Sequence, residues 1–190
     1  LAPLEVPDRV DLEQARSASA IAMFVQSAAA MRPGYELTAE NVGGITELCR
    51  RLDGLPLALE LAASRINLLS PEAMLSRLEA LKALPSRRFT ADAPDRHRSL
   101  EAALSWSFEL LTEAEQNLFC ALGVFAGSAS PEAVAEVAQA LSEDPLEALL
   151  ELRDKNLLQI FGGGSRFGLL ETLREFAWRE AERRGSLETL

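Results

Sequence analysis

The chain has 190 residues, 48% hydrophobic and 25% charged, with a formal net charge of −10. That length allows one domain or two small ones with a true core, and the balance is that of an ordinary globular protein. The negative charge argues against a nonspecific grip on nucleic acid, and no apolar run approaches the roughly 20 residues of a membrane span.

The opening LAPLEVPD carries two prolines and reads as an extended connector over residues 1–10, running in from an upstream part that Leu1 does not begin. Ser17–Met31 has Ile21, Phe24, Val25 and Ala28 at helical spacing, and Arg32-Pro33-Gly34 ends that helix. Thr38 caps a second helix over about residues 39–52, with Val42, Ile45, Leu48, Cys49 and Leu52 in one stripe. Gly54 follows as its C′ glycine, and Pro56 occupies the first turn of a third helix running to about Leu68. Ser70-Pro71-Glu72 opens a fourth helix that ends near Leu81, completing a helical domain over residues 11–84.

Residues 85–98, PSRRFTADAPDRHR, contain two prolines and five basic side chains if His97 is counted, and mark a linker and candidate hinge. A helix from Ser99 follows, then one capped by Thr112 with Glu115 completing a capping box, and further helices opening at Ser130-Pro131 and Asp144-Pro145. NLLQIF and RFGLL flank Gly162-Gly163-Gly164-Ser165 as a β-hairpin, and ETLREFAWREAERR closes with Leu173, Phe176 and Ala177 inward. The predicted class is mainly α: a four-helix domain, then a winged-helix domain over residues 99–183 with one short β-hairpin, then a tail over residues 184–190.

Chemistry of its own is not evident, and no enzyme is expected from this chain by itself. FGGGSRFG lacks the lysine and serine of a phosphate-binding loop and sits in a hairpin turn. His97 stands between two arginines with no nucleophile or carboxylate partner, and two distant cysteines, Cys49 and Cys120, read as free buried thiols of a cytoplasmic protein. With a single histidine there is no metal site. A winged helix invites a DNA-binding reading, with its third helix in the major groove. Between Ser128 and Lys155, however, seven acidic side chains (Glu132, Glu136, Glu143, Asp144, Glu147, Glu151 and Asp154) face two basic ones, Arg153 and Lys155.

CRRLDGLPLALELAASR, LLSPEAMLSRL, RHRSLEAALSWSFELLTEAEQNLFCALGVFAG and RFGLLETLREFA, in that order, closely resemble the STAND signal-transduction ATPases with an NB-ARC-type module. The nearest likeness is to bacterial transcriptional regulators with LuxR-like or antibiotic-regulator-like outputs. The resemblance covers about Pro3 to Arg183 and implies the second and third parts of such a module, following an upstream P-loop domain of the same polypeptide. It implies that Gly54, Leu55 and Pro56 border the nucleotide, with the proline ring against the base of ADP or ATP, bound with Mg only together with that upstream domain. A Met-His-Asp motif of the family, whose histidine touches ADP phosphate, is matched here by Leu169, Leu170 and Glu171, so the resemblance leaves Glu171 as the polar nucleotide-site residue there. Glu171 can also cap the last helix, three residues before Arg174. The implied mechanism is a switch that closes over ADP and opens on exchange for ATP. A downstream sensor or repeat domain would follow. The alternatives are a DNA-binding winged-helix regulator and a nucleotide-independent protein-interaction module.

Overall fold

A computed structural model describes residues 2–7, 11–83, 95–141 and 145–185, and the chain divides into two compact units, Leu1–Ser107 and Phe108–Leu190. Residues 85–94 of the expected linker, with Arg87 and Arg88, lie outside the described residues, as do residues 186–190 of the tail.

The first unit begins with a helix that periodicity does not announce, α1 (Leu12–Ser17), whose amides Glu13 and Gln14 are taken by the Asp11 carboxylate. It is followed by α2 (Ser19–Met31), α3 (Val42–Arg51), α4 (Pro56–Ala63) and α5 (Pro71–Ala83). Thr38 does act at the start of α3, but one turn early. Its hydroxyl accepts from the Asn41 amide while the Asn41 side chain accepts from the Thr38 amide at 2.8 Å. Ser70 caps α5 through the Ala73 amide. Beyond Ala63 the α4 chain tightens into turns, so the helix is shorter than expected.

Helix α2 packs on α4, and α3 on α5. Ile21, Phe24, Ile45, Leu48, Leu59, Leu61 and Met74 are all fully buried between them. The next helix, α6 (Asp95–Glu109), starts four residues ahead of Ser99, so Asp95–Arg98 are helical and not linker. An acidic residue in the first turn suits the positive end of the helix dipole, and arginines are good helix formers. Arg65, 1% exposed, donates to the Ser107 carbonyl of α6 at 3.1 Å.

The second unit holds the end of α6, then α7 (Glu113–Leu122), β1 (Ser128–Ala129), α8 (Pro131–Leu141), α9 (Pro145–Asp154), β2 (Gln159–Phe161), β3 (Arg166–Gly168) and α10 (Glu171–Arg184). The expected capping box is formed, with Thr112 and Glu115 bonding each other's main chain. The hairpin is joined by a third strand, giving an antiparallel sheet in the order β1-β3-β2, with Ser128 and Gln159 both opposite Gly168. Helix α7 packs against α8 and α10, and α8 against α9. The rings of Phe108, Phe119 and Phe176 meet at centroid separations of 5.8, 5.8 and 6.3 Å at the centre of that core.

Candidate functional site

The GLPL corner is built by the end of α3. The Asp53 amide donates to Arg50 O and the Gly54 amide to Cys49 O, each at 3.0 Å, the paired bonds of a Schellman stop. The left-handed C′ residue is therefore Asp53 (φ 52°), and Gly54 (φ 59°) stands one place further on, which corrects its expected position. Glycine is still demanded there, for a different reason. A Cβ on Gly54 would lie 2.3 Å from the carbonyl oxygen of Leu4, because the connector crosses directly over it.

Leu55 then adopts an extended conformation as the N-cap, and Pro56 starts α4 where no N–H is needed. Leu55, Pro56 and Leu57 are each half-buried, so the start of α4 presents an apolar edge beside the positive end of a helix dipole. Such an edge can receive a flat hydrophobic ring. It contains no nucleophile and no acid–base pair. Within the first turns of α4, burial pushes up the Glu60 carboxyl.

Glu171 lies in the other unit, as the first residue of α10. It is exposed and does not cap that helix, since Leu170 occupies the N-cap without a side-chain bond. Instead its carboxylate takes the Arg174 guanidinium, with Nε at 3.0 Å, and that hydrogen bond holds its pKa below the ordinary value. Leu169 is buried and Leu170 half-buried, so both pack, as their chemistry requires.

Helix α9 occupies the place of the third helix of a winged helix. Its exposed positions are Leu146, Glu147, Leu150, Glu151, Arg153 and Asp154. The nearby cations are engaged by acids: Arg153 binds Asp154, and Lys155 binds both Glu115 and Glu151. In the wing, Arg166 turns back to Ser128, with Nε 2.7 Å from its hydroxyl. The glycine turn has positive φ at Gly162, Gly163 and Gly164, and its Ser165 hydroxyl closes on the Gly162 carbonyl at 2.9 Å. It is a hairpin turn in the structure as in the sequence.

Cys49 and Cys120 are free and buried, and burial pushes their thiols up to about 12 and about 11. Among the described residues no three His, Cys, Asp or Glu side chains are grouped to hold a metal ion, and no helix is long and apolar enough to cross a membrane.

Two interactions were not visible in the sequence. The Glu115–Lys155 pair joins positions 40 residues apart. The Leu4–Pro7 segment is bound to Ser19, Arg50 and Gly54, and the only hint of it is that α2 begins after Ala18, which has no capping side chain.

The fold thus defines a mainly helical protein of two units, the second a winged helix with an acidic third helix. No family model matches the chain. It is similar to proteins of Mycobacterium tuberculosis and Mycobacterium bovis provisionally named HTH-type transcriptional regulators, 37% identical over 163 residues. That match covers 83% of this chain and 18% of each of those proteins. A second protein of M. tuberculosis, whose name assigns it no activity, is 32% identical over 179 residues, covering 90% of this chain and 45% of its own length. The chain therefore spans less than half of each of these relatives, and its likeness is to a section of transcriptional regulators.

Proposed function

We propose that the chain is the regulatory section of a transcriptional regulator, in which the GLPL corner faces a nucleotide held mainly by an upstream P-loop domain. ADP or ATP then biases the arrangement of the winged helix, and the arrangement controls an output elsewhere in the polypeptide. The observation that carries this reading is the half-buried Leu55-Pro56-Leu57 edge at the start of α4. Three apolar side chains at a helix N-terminus suit a purine ring with its phosphates lying toward the dipole. Leu170 leaves the phosphate side without the family's histidine, so in this reading the base contact outweighs the phosphate clamp.

Calorimetric titration of ADP and ATP tests it. Binding is expected in the longer protein and not in this chain alone, with Pro56→Ala weakening ADP retention by about tenfold while the fold persists. Full ADP affinity in Pro56→Ala would remove the corner from the nucleotide site and leave it as a helix junction.

A second reading, direct DNA contact by the winged helix, is favoured by the HTH-type name of the relatives. The acidic exposed face of α9 weighs against it. Those relatives are more than five times longer than the matched span, which leaves room for a DNA-reading element outside it.

A further inference from the structure

The N-terminal segment reads in sequence as an extended connector, and its backbone is bound at four points. Leu4 N donates to Gly54 O at 2.8 Å, and Glu5 N to the Ser19 hydroxyl at 2.9 Å. Ala20 N donates to Glu5 O at 3.1 Å, and the Arg50 guanidinium to Pro7 O at 3.0 Å. These partners sit on the start of α2, the end of α3 and the α3–α4 corner.

Each contact answers a local need. Helix α2 has Ala18 at its N-cap, which has no side-chain acceptor, and the Glu5 carbonyl takes the Ala20 amide in its stead. Gly54 admits the Leu4 carbonyl where any side chain would collide, and returns a bond through its own carbonyl. Leu4, Val6 and Pro7 are half-buried, while Ala2, Pro3 and Glu5 are exposed. One face of the segment is packed and its backbone is hydrogen-bonded, unlike a flexible linker.

We propose that Leu4–Pro7 is a strap that fastens the incoming chain to the GLPL corner, with Ser19, Arg50 and Gly54 as its positioning residues. A displacement upstream is then delivered to Gly54, Leu55 and Pro56, and is not absorbed between domains. The use of the strap in signalling rests on the nucleotide reading of that corner, whereas its existence does not.

Hydrogen exchange of this chain, read by NMR at single amides, tests the strap. The Leu4, Glu5 and Ala20 amides are expected to be protected well above the Ala2 amide. Ser19→Ala is expected to speed exchange at Glu5 about fivefold, the effect of one lost hydrogen bond, with α4 and α5 unchanged. Gly54→Ala is expected to free Leu4 by at least about tenfold, since both its φ and the Leu4 carbonyl oppose a side chain. If that variant unfolds, Ser19→Ala still decides.

Leu4 and Glu5 amides exchanging in the wild type as fast as Ala2 would overturn the strap, as would an unchanged Glu5 in Ser19→Ala. The same measurement on the longer protein, with and without ADP, separates the two readings. Protected strap amides that ignore ADP would uphold the strap and remove the nucleotide from the corner.

Discussion

Glu115 offers a prediction whose size can be worked from the winged helix itself. Its carboxylate accepts from the Thr112 amide at 2.9 Å and from the Lys155 ammonium, tying the start of α7 to the residue after α9. Burial alone would raise its pKa, but the bond from Lys155 and the main-chain bond at Thr112 outweigh burial and hold it below the usual carboxylate value. Breaking a fully buried pair from one side costs about 3–5 kcal/mol, and an exposed pair is worth at most about 1. Glu115 is nearly covered and Lys155 is 18% exposed with Glu151 2.8 Å away in reserve, so an intermediate figure applies.

Glu115→Gln keeps an acceptor for Thr112 and is expected to cost about 2 kcal/mol at pH 7; Glu115→Ala also loses the cap, for about 3 in all. Urea titration followed at amides of α7 and α9 should show the Gln midpoint lower by about 1 M, for a slope of about 1–3 kcal/mol per M. A lowered folded-state pKa stabilises above the unfolded value of about 4.3, and that stability is lost as pH falls through the folded value. The gap between wild type and Glu115→Gln should therefore be full at neutral pH and close in acid. A gap of the same size at about pH 2.5, or none at pH 7, would refute the assignment.

Two further outcomes are expected. Cys49 and Cys120, with thiols raised to about 12 and about 11, should resist a thiol reagent at pH 8 until urea unfolds the chain. Rapid labelling of the folded chain would show that one of them is reached by solvent. In a low-salt gel-shift assay the chain alone should not retard duplex DNA; a shift that weakens steeply with added salt would establish phosphate contacts and favour direct DNA binding.

The helices were legible because their ends are written locally. Ser70, Ser130, Thr112 with Glu115, and the prolines Pro56, Pro71, Pro131 and Pro145 each act within three or four residues of themselves. Helix α1 was hidden because six residues are too few to show a period, and β1 because two residues cannot show alternation. The sequence marks Gly54 as the helix-ending glycine but one place early, since Asp53 also turns left-handed. Its deeper constraint, the Leu4 carbonyl, comes from 50 positions away and leaves no local mark. Of the candidate site, the corner of Gly54, Leu55 and Pro56 was legible as a turn. The partner of Glu171 was also legible, because Arg174 stands three residues on.

A winged helix is a scaffold, and whether it touches DNA depends on what its third helix exposes. Over Pro145–Asp154 the charged residues are Glu147, Glu151, Arg153 and Asp154, and the single cation is held by its neighbouring acid. Bringing that face to a groove would set carboxylates against phosphates without releasing the counterions that drive such association. It would also leave Leu146, 67% exposed, and Leu150, 38% exposed, against a charged backbone. Exposed leucines four apart beside carboxylates are instead suited to a protein surface, and they lie on the helix that Lys155 ties to Glu115. The same tie that stabilises the unit therefore also fixes the orientation of this face. Glu115→Gln would therefore loosen the hold on this face as well as the fold of the unit.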